Sequence, residues 1–283
     1  MQLGLGSYAF RWAIGTAAFT PPGDLRMRVV DLIEATVASG IDLLQIADSP
    51  ELDEATDAQL HAMREHASNQ NIRLQTGTSG LTEARLSRAI HVAAILGSDL
   101  IRLVLDGPDG NPSVDESVRI LAEAIPRLAS ANTAVAVENH FMTPSADLLA
   151  IVSAVGSPRI GVCLDTANSI MVAEWPSHTI KLLAPHALCL HLKDYRVVPD
   201  SAGVGGHLVG APLGDGWLDI DGTLAAIADA DVRQNGNLAV ILEQWLPAVQ
   251  DPAHTIRLER AAREDAIVRA RRYVGAERPM SRV

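Results

Sequence analysis

Four residues in the second half of the chain close short apolar runs: Glu138 in AVAVENH, Asp165 in GVCLDTAN, His191 in LCLHLKD and Glu243 in AVILEQW. Each run has the length and the Val, Ile and Leu content of a strand covered on both faces. One polar residue at a strand end is ordinarily a cap or half of an ion pair. Three carboxylates and an imidazole at four successive strand ends are harder to explain that way. If they converge, the carboxylates repel one another and lose hydration unless a cation compensates. One divalent metal ion meets that need. Oxygen donors with a single imidazole suit Mn²⁺ first, with Mg²⁺, Co²⁺ or Zn²⁺ as alternatives, and the lack of thiolates at the ends argues against a closed structural zinc site. The expectation is that donor atoms of Glu138, Asp165, His191 and Glu243 share one ion.

Neighbouring residues extend this chemistry. Lys193 lies two residues after His191 and so shares its face of the strand. There it could hold a developing negative charge on oxygen or a substrate carboxylate, or simply pair with a nearby acid. His140 stands in the same relation to Glu138 and is a candidate proton shuttle, or a residue that orients its neighbour. Arg102 falls inside an apolar run, where an unpaired guanidinium is unfavourable, so it is expected to brace a carboxylate such as Glu138. Trp12, Trp217, Trp245 and Tyr8 fall in predicted loops after strands, either as apolar surfaces for a ligand or as loop anchors. Asp48 is a candidate for a substrate hydroxyl or for capping the next helix, and Arg196 for an anionic substrate group or plain solvation. Cys163 and Cys189 each lie two residues before a proposed ligand and are read as reduced packing residues one layer deeper.

The elements that must position these groups alternate along the chain. Strands are predicted over 3–7, 42–47, 73–78, 100–105, 134–138, 161–164, 188–192 and 238–242. Helices are predicted over 24–39, 53–68, 82–96, 113–131, 144–155, 176–183, 220–230 and 253–274, most opening on Ser, Thr, Asp or Pro. Gly40, Gly97, Gly156 and Gly275 follow helices as candidate left-handed caps. Eight strand–helix units without a long central break fit a closed (β/α)8 TIM barrel better than an open doubly wound sheet. Residues 1–275 are expected to form that single α/β domain, followed by a tail at 276–283. The connection at 194–218 is long and glycine-rich and is expected to be a functional loop, either a mobile cover or a fixed Ω-loop.

Composition narrows the function. The chain of 283 residues is 48% hydrophobic and carries a formal charge of −11, which opposes nucleic acid or anionic membrane surfaces as partners. No signal-like start or membrane-length apolar run occurs, so the expectation is a cytoplasmic protein. The two cysteines do not indicate a disulfide framework. No P-loop, dinucleotide fingerprint or GxSxG elbow is present. Homo-oligomerisation stays open.

In order and strand position, VENH at 137–140, CLDTANS at 163–169, HLKDY at 191–195, GAPLGDGWLD at 210–219 and LEQW at 242–245 resemble the xylose-isomerase-like TIM-barrel superfamily of sugar phosphate isomerases and epimerases. The likeness covers nearly the whole chain. It implies a Glu–Asp–His–Glu metal site on Glu138, Asp165, His191 and Glu243, a small carbohydrate substrate, and carbonyl chemistry through an enediolate, with Glu138 and Glu243 as proton-transfer bases. LGLGSYAFRWAIG at the start, QIAD at 45–48 and GTSG at 77–80 are similar to a subgroup that includes 3-oxo-isoapionate decarboxylases. There is one departure: the ketose 3-epimerases carry a substrate-contacting His three residues after the metal-binding Asp, where this chain has Asn168. An amide binds a hydroxyl but does not exchange protons near neutral pH. An isomerase or epimerase is thus the first expectation, with a decarboxylase or lyase of a 3-oxo sugar acid as the alternative. An endonuclease IV-like repair enzyme and a non-catalytic sugar-binding barrel are further readings.

Overall fold

The computed structural model describes residues 1–108 and 110–274. Gly275 and the expected tail at 276–283 lie outside them. Eight parallel strands close into a barrel: β1 (Gln2–Gly6), β2 (Leu43–Ala47), β3 (Arg73–Ser79), β4 (Leu100–Val104), β5 (Ala134–Glu138), β6 (Ile160–Asp165), β7 (Ala187–Leu192) and, beyond a hairpin of β8 and β9, β10 (Ala239–Leu242). Strand β10 closes the ring between β7 and β1. This is the expected TIM barrel.

The strands read as unbroken apolar runs because one face meets helices and the other meets the barrel interior. Leu5, Ile46, Leu103, Val137, Leu164, Leu192 and Val240 point outward into the larger core beneath the helices. Leu43, Leu100, Ala136, Cys163, Cys189, Ala239 and Ile241 fill a separate inner plug. Side chains alternate along a strand, so the residue two places beyond each plug residue also faces inward. That parity carries Gln45, Arg102, Glu138, Asp165, His191 and Glu243 into a polar layer directly above the plug. Strand β1 contributes bare backbone to this interior. A Cβ on Gly4 would lie 2.8 Å from Ile241 Cδ1, and one on Gly6 2.9 Å from Ile241 Cγ2 and 3.2 Å from Glu243 Cγ. Those two glycines leave the room that Ile241 and Glu243 occupy.

Helix ends follow the cap residues. Ser113 and Thr82 accept from the backbone N–H of Glu116 and Arg85, and Gly97 and Gly156 take the left-handed conformation at φ 70° and 59°. Gly40 is also left-handed at φ 63°. Three expected helices differ. The first begins at Val29, because the Asp31 carboxylate accepts from Arg28 N and fixes the start there. The second divides into Pro50–Glu54 and Asp57–Asn69, since Thr56 and Gln59 build a capping box that starts a new helix. The segment expected over 220–230 divides at Ile227.

The segment at 194–218 is more ordered than its glycine content implies. Asp194–Pro199 (β8) and Gly206–Ala211 (β9) pair antiparallel in a hairpin. Its base hangs on one buried carboxylate: Asp194 accepts from the backbone N–H of Tyr195, Gly214, Gly216 and Leu218 at 2.8–3.1 Å. A Cβ on Gly216 would sit 2.1 Å from Asp194 Oδ1, so the glycine is what lets the chain wrap that closely. Asp194→Ala strands these donors and is expected to lower the unfolding free energy by roughly 2–4 kcal/mol, measured by urea denaturation. A loss under about 0.5 kcal/mol, the scale of an ordinary surface change, would show that the hairpin does not depend on this anchor.

Candidate active site

Strands β5, β6, β7 and β10 bring Glu138, Asp165, His191, Lys193 and Glu243 to one place at the carboxyl end of the barrel. All five are buried, with relative exposures of 1%, 1%, 0%, 5% and 7%. Glu138, Asp165 and His191 each present one donor atom, all within 4.8 Å of one another. Glu243 joins through His191, whose Nδ1 lies 3.2 Å from Glu243 Oε1 and 3.6 Å from Glu138 Oε2. Lys193 Nζ bridges Asp165 Oδ2 at 2.7 Å and Glu243 Oε2 at 2.8 Å, and lies over the Trp245 ring, 5.2 Å from its centroid. The other Asp165 oxygen accepts from the N–H groups of Ala167 and Asn168, which open the 3-10 turn Asn168–Val172. Glu138 takes Arg102 Nε on Oε2 and Asn168 Nδ2 at 2.7 Å on Oε1. Arg102 thus braces Glu138 as expected. It also donates to Asp48 Oδ2 at 2.8 Å, where Tyr8 Oη donates at 2.9 Å.

The charges are held by their partners. Burial works against the Glu243 anion, but His191 and Lys193 outweigh it and keep its carboxyl well below the usual range. Burial pushes the Asp165 carboxyl up, and Lys193 opposes that rise. Burial likewise opposes charge on His191 and Lys193, yet the carboxylates around both raise their pKa values. Three buried polar atoms in the cluster have no hydrogen-bond partner: His191 Nδ1, Asn168 Oδ1 and Asp165 Oδ2, the last of which meets the Lys193 ammonium as an ion pair. An imidazole nitrogen facing two carboxylates, without a hydrogen bond of its own, is what a cation between them would explain. The donor set of Glu138, Asp165 and His191 therefore fits a divalent ion, with Glu243 adjoining it through His191.

Cys163, Cys189 and His191 form a second group within 4.8 Å, one layer down. There the apolar plug surrounds the sulfurs, and burial pushes the Cys163 thiol up, against the thiolate a metal needs. Both cysteines are free.

The other sequence candidates are distributed around the rim. Asn168 and Trp245 are part of the cluster. Asp48 does not cap the next helix; Ser49 does, while the Asp48 carboxylate binds Arg102, Tyr8 and Ser79. His140 Nδ1 lies 3.5 Å from Asp106 Oδ1 with its ring stacked on Phe141. Arg196 is exposed on β8. Trp217 packs 6.4 Å from Trp175 at the surface. Trp12 serves as an anchor: its Nε1 donates to the Leu246 carbonyl, and its backbone N–H, with that of Ala13, donates to the buried Glu259 carboxylate. Residues the sequence reading passed over include Gln45, Gln75 and Ser79. The signal was available for the first two, since a glutamine at an inward position of an otherwise apolar strand needs a partner.

A family model described as xylose isomerase-like TIM barrel matches residues 33–268. A 3-oxo-isoapionate decarboxylase from Pectobacterium atrosepticum is 31% identical over 261 residues, 92% of each chain. Among solved structures, a D-psicose 3-epimerase in the presence of D-fructose superposes with a TM-score of 0.68 at 18% identity, covering 97% of this chain and 100% of that one. A xylose isomerase-like TIM barrel protein from Mycobacterium smegmatis in complex with magnesium superposes with a TM-score of 0.63 at 13% identity, covering 94% and 97%. No helix among the described residues is long and apolar enough to cross a membrane.

Burial raises the Glu259 carboxyl to about 7 against the two backbone donors that favour its anion. The folded state holds this proton more tightly than the unfolded chain, so the group's contribution to stability is full below about 4.5 and lost as pH rises through about 7. Protonation also weakens the acceptor that fixes Trp12. The fluorescence difference between the protein and its Trp12→Phe variant is therefore expected to titrate with a midpoint near 7 and to stop titrating in Glu259→Gln. A difference that stays flat from roughly pH 5.5 to 8.5 would remove Glu259 from this role.

Proposed function

The chain belongs to the xylose isomerase-like TIM-barrel family, and from that premise we propose that it is a divalent-metal-dependent enzyme that releases CO₂ from a 3-oxo sugar acid. The similarity to a 3-oxo-isoapionate decarboxylase over 92% of both chains supports the substrate class. The observation that carries the reaction type is that both glutamates expected to act as bases are already engaged. Glu243 faces His191 and Lys193, and Glu138 faces Arg102 and Asn168. A Glu243 carboxyl held well below the usual range is a weak base toward a C–H proton, and each Glu138 oxygen already meets a donor. Decarboxylation needs no such base; it needs positive charge where the carbonyl oxygen takes up the electrons of the breaking C–C bond.

A bound divalent ion, with Mn²⁺ as the first choice, would supply Lewis-acid polarisation of the 3-oxo carbonyl and its neighbouring hydroxyl. Glu138, Asp165, His191 and Glu243 would hold it. Lys193 remains an ammonium among its acids and would stabilise negative charge on the carbonyl oxygen. Trp245, beneath Lys193, supplies an apolar wall, and Asn168 Oδ1 is free to accept from a substrate hydroxyl. The electron pair left on carbon by departing CO₂ is completed by a proton from solvent. Trp12, Asp48, Arg196 and His140 remain outer candidates for orienting the rest of the substrate.

The test is to offer 3-oxo sugar acids and free ketoses to the Mn²⁺-loaded protein in D₂O, following CO₂ and deuterium by NMR. CO₂ release with one deuteron at the carbon that carried the carboxylate is expected. Isomerisation or epimerisation of a ketose without CO₂ would instead restore the isomerase reading. Lys193→Met is expected to slow CO₂ release by roughly 10²–10³-fold, as for loss of an oxyanion donor. Glu243→Gln is expected to cost less than the ~10² that marks removal of a general base, once rates are normalised to the metal content of each protein.

A further inference from the structure

A row of buried amides runs from the catalytic imidazole towards the floor of the barrel. His191 Nε2 lies 2.6 Å from Gln45 Oε1, Gln45 Nε2 donates to Gln75 Oε1 at 3.2 Å, and Gln75 Nε2 donates to Asp99 Oδ1 at 3.1 Å. The other Asp99 oxygen accepts from Arg73 Nη1 at 2.8 Å. Gln45 and Gln75 are 1% and 3% exposed. Buried amides in this position must be satisfied at both ends.

The direction of the row follows from its outer end. An ionised carboxylate only accepts, so Gln75 has to present its NH₂ to Asp99. Its oxygen then faces Gln45, which must donate in turn and present its own oxygen to His191. The imidazole can answer that oxygen only with an N–H on Nε2. Its Nδ1 is the atom turned toward Glu138 and Glu243, and it has no hydrogen-bond partner.

We propose that Gln45, Gln75 and Asp99 are positioning residues that pin the His191 ring and keep its proton on Nε2, so that Nδ1 is the nitrogen presented to the metal ion. The claim about Nδ1 as a ligand rests on the metal-dependent reading above. The claim about the Nε2 proton stands on the hydrogen bonds alone. None of the three residues has a place in the chemistry itself, and Asp99 lies at the barrel's surface.

Two measurements on the full-length protein test this. In metal-free, ¹⁵N-histidine-labelled protein, the His191 Nε2–H signal is assigned by its loss in His191→Asn and is expected to be protected from solvent exchange. Gln45→Met, close in volume but unable to accept, should speed that exchange at least about 10-fold and weaken Mn²⁺ binding by roughly 10–100-fold, the usual effect of losing a partner behind a metal-bound histidine. Gln45→Glu keeps the acceptor facing Nε2 although it loses the donor to Gln75 Oε1, and should speed exchange and weaken Mn²⁺ binding less than Gln45→Met does. If Gln45→Met fails to fold, Asp99→Leu, a change at the barrel's surface that leaves Gln75 Nε2 without its acceptor, carries the test through faster Nε2–H exchange. Unchanged exchange and Mn²⁺ affinity in Gln45→Met would overturn the proposal. Equal damage in Gln45→Glu and Gln45→Met would also overturn it, by showing that packing and not the acceptor matters. Should the exchange pattern appear as expected while no form binds Mn²⁺, the positioning claim for Nε2 stands and the metal-dependent reading falls.

Discussion

Three carboxylates buried within one barrel mouth set the conditions that the rest of the site satisfies. Glu138, Asp165 and Glu243 have almost no contact with water, so their charge must be met by neighbouring groups. Arg102 answers Glu138, and Lys193 lies between Asp165 and Glu243. His191 stands where the Glu138 and Glu243 carboxylates come together. Removing one member leaves the others with uncompensated charge in a place of low dielectric. The cluster is therefore a unit, and its parts are poorly described one residue at a time.

That unit depends on strand register. Asp165 pairs with His191, and His191 with Ile241. The same alternation that seats Cys163, Cys189 and Ile241 in the apolar plug lifts Asp165, His191 and Glu243 above it. A slip by one residue would turn every one of these polar side chains into the helix layer. The dry plug beneath also removes competing water from the floor of the polar layer. Gly4 and Gly6 act from the opposite wall, where absent side chains leave the volume that Ile241 and Glu243 fill.

Much of this was legible in the sequence because it is written with period two. The four ligand candidates, the bracing by Arg102 and the depth of the two cysteines all follow from counting alternate positions along apolar runs. What was hidden depends on contacts between distant segments. The glycines at 203, 205, 206, 210, 214 and 216 suggest a loop, but the β8–β9 pairing and the gathering of backbone donors by Asp194 arise only when the two halves of the segment meet. Asp48 resembled a helix cap by position, yet its carboxylate goes to Arg102, a residue 54 positions away, because a buried guanidinium draws acids more strongly than a helix end does. The amide row behind His191 was equally hidden, since Gln45 and Gln75 make sense only once the barrel closes.

The hairpin that follows β7 has a tether and a free end. Its base is tied to Asp194, the next residue but two after His191, while the turn at 201–205 is exposed. Change at the tip is thereby separated from the anchored base and the buried cluster beside it. Over evolutionary time, or in a laboratory library, that turn can lengthen, shorten or alter its charge while the anchored base preserves the mouth, so variation there is a route to new substrate preferences that does not first pass through an inactive enzyme.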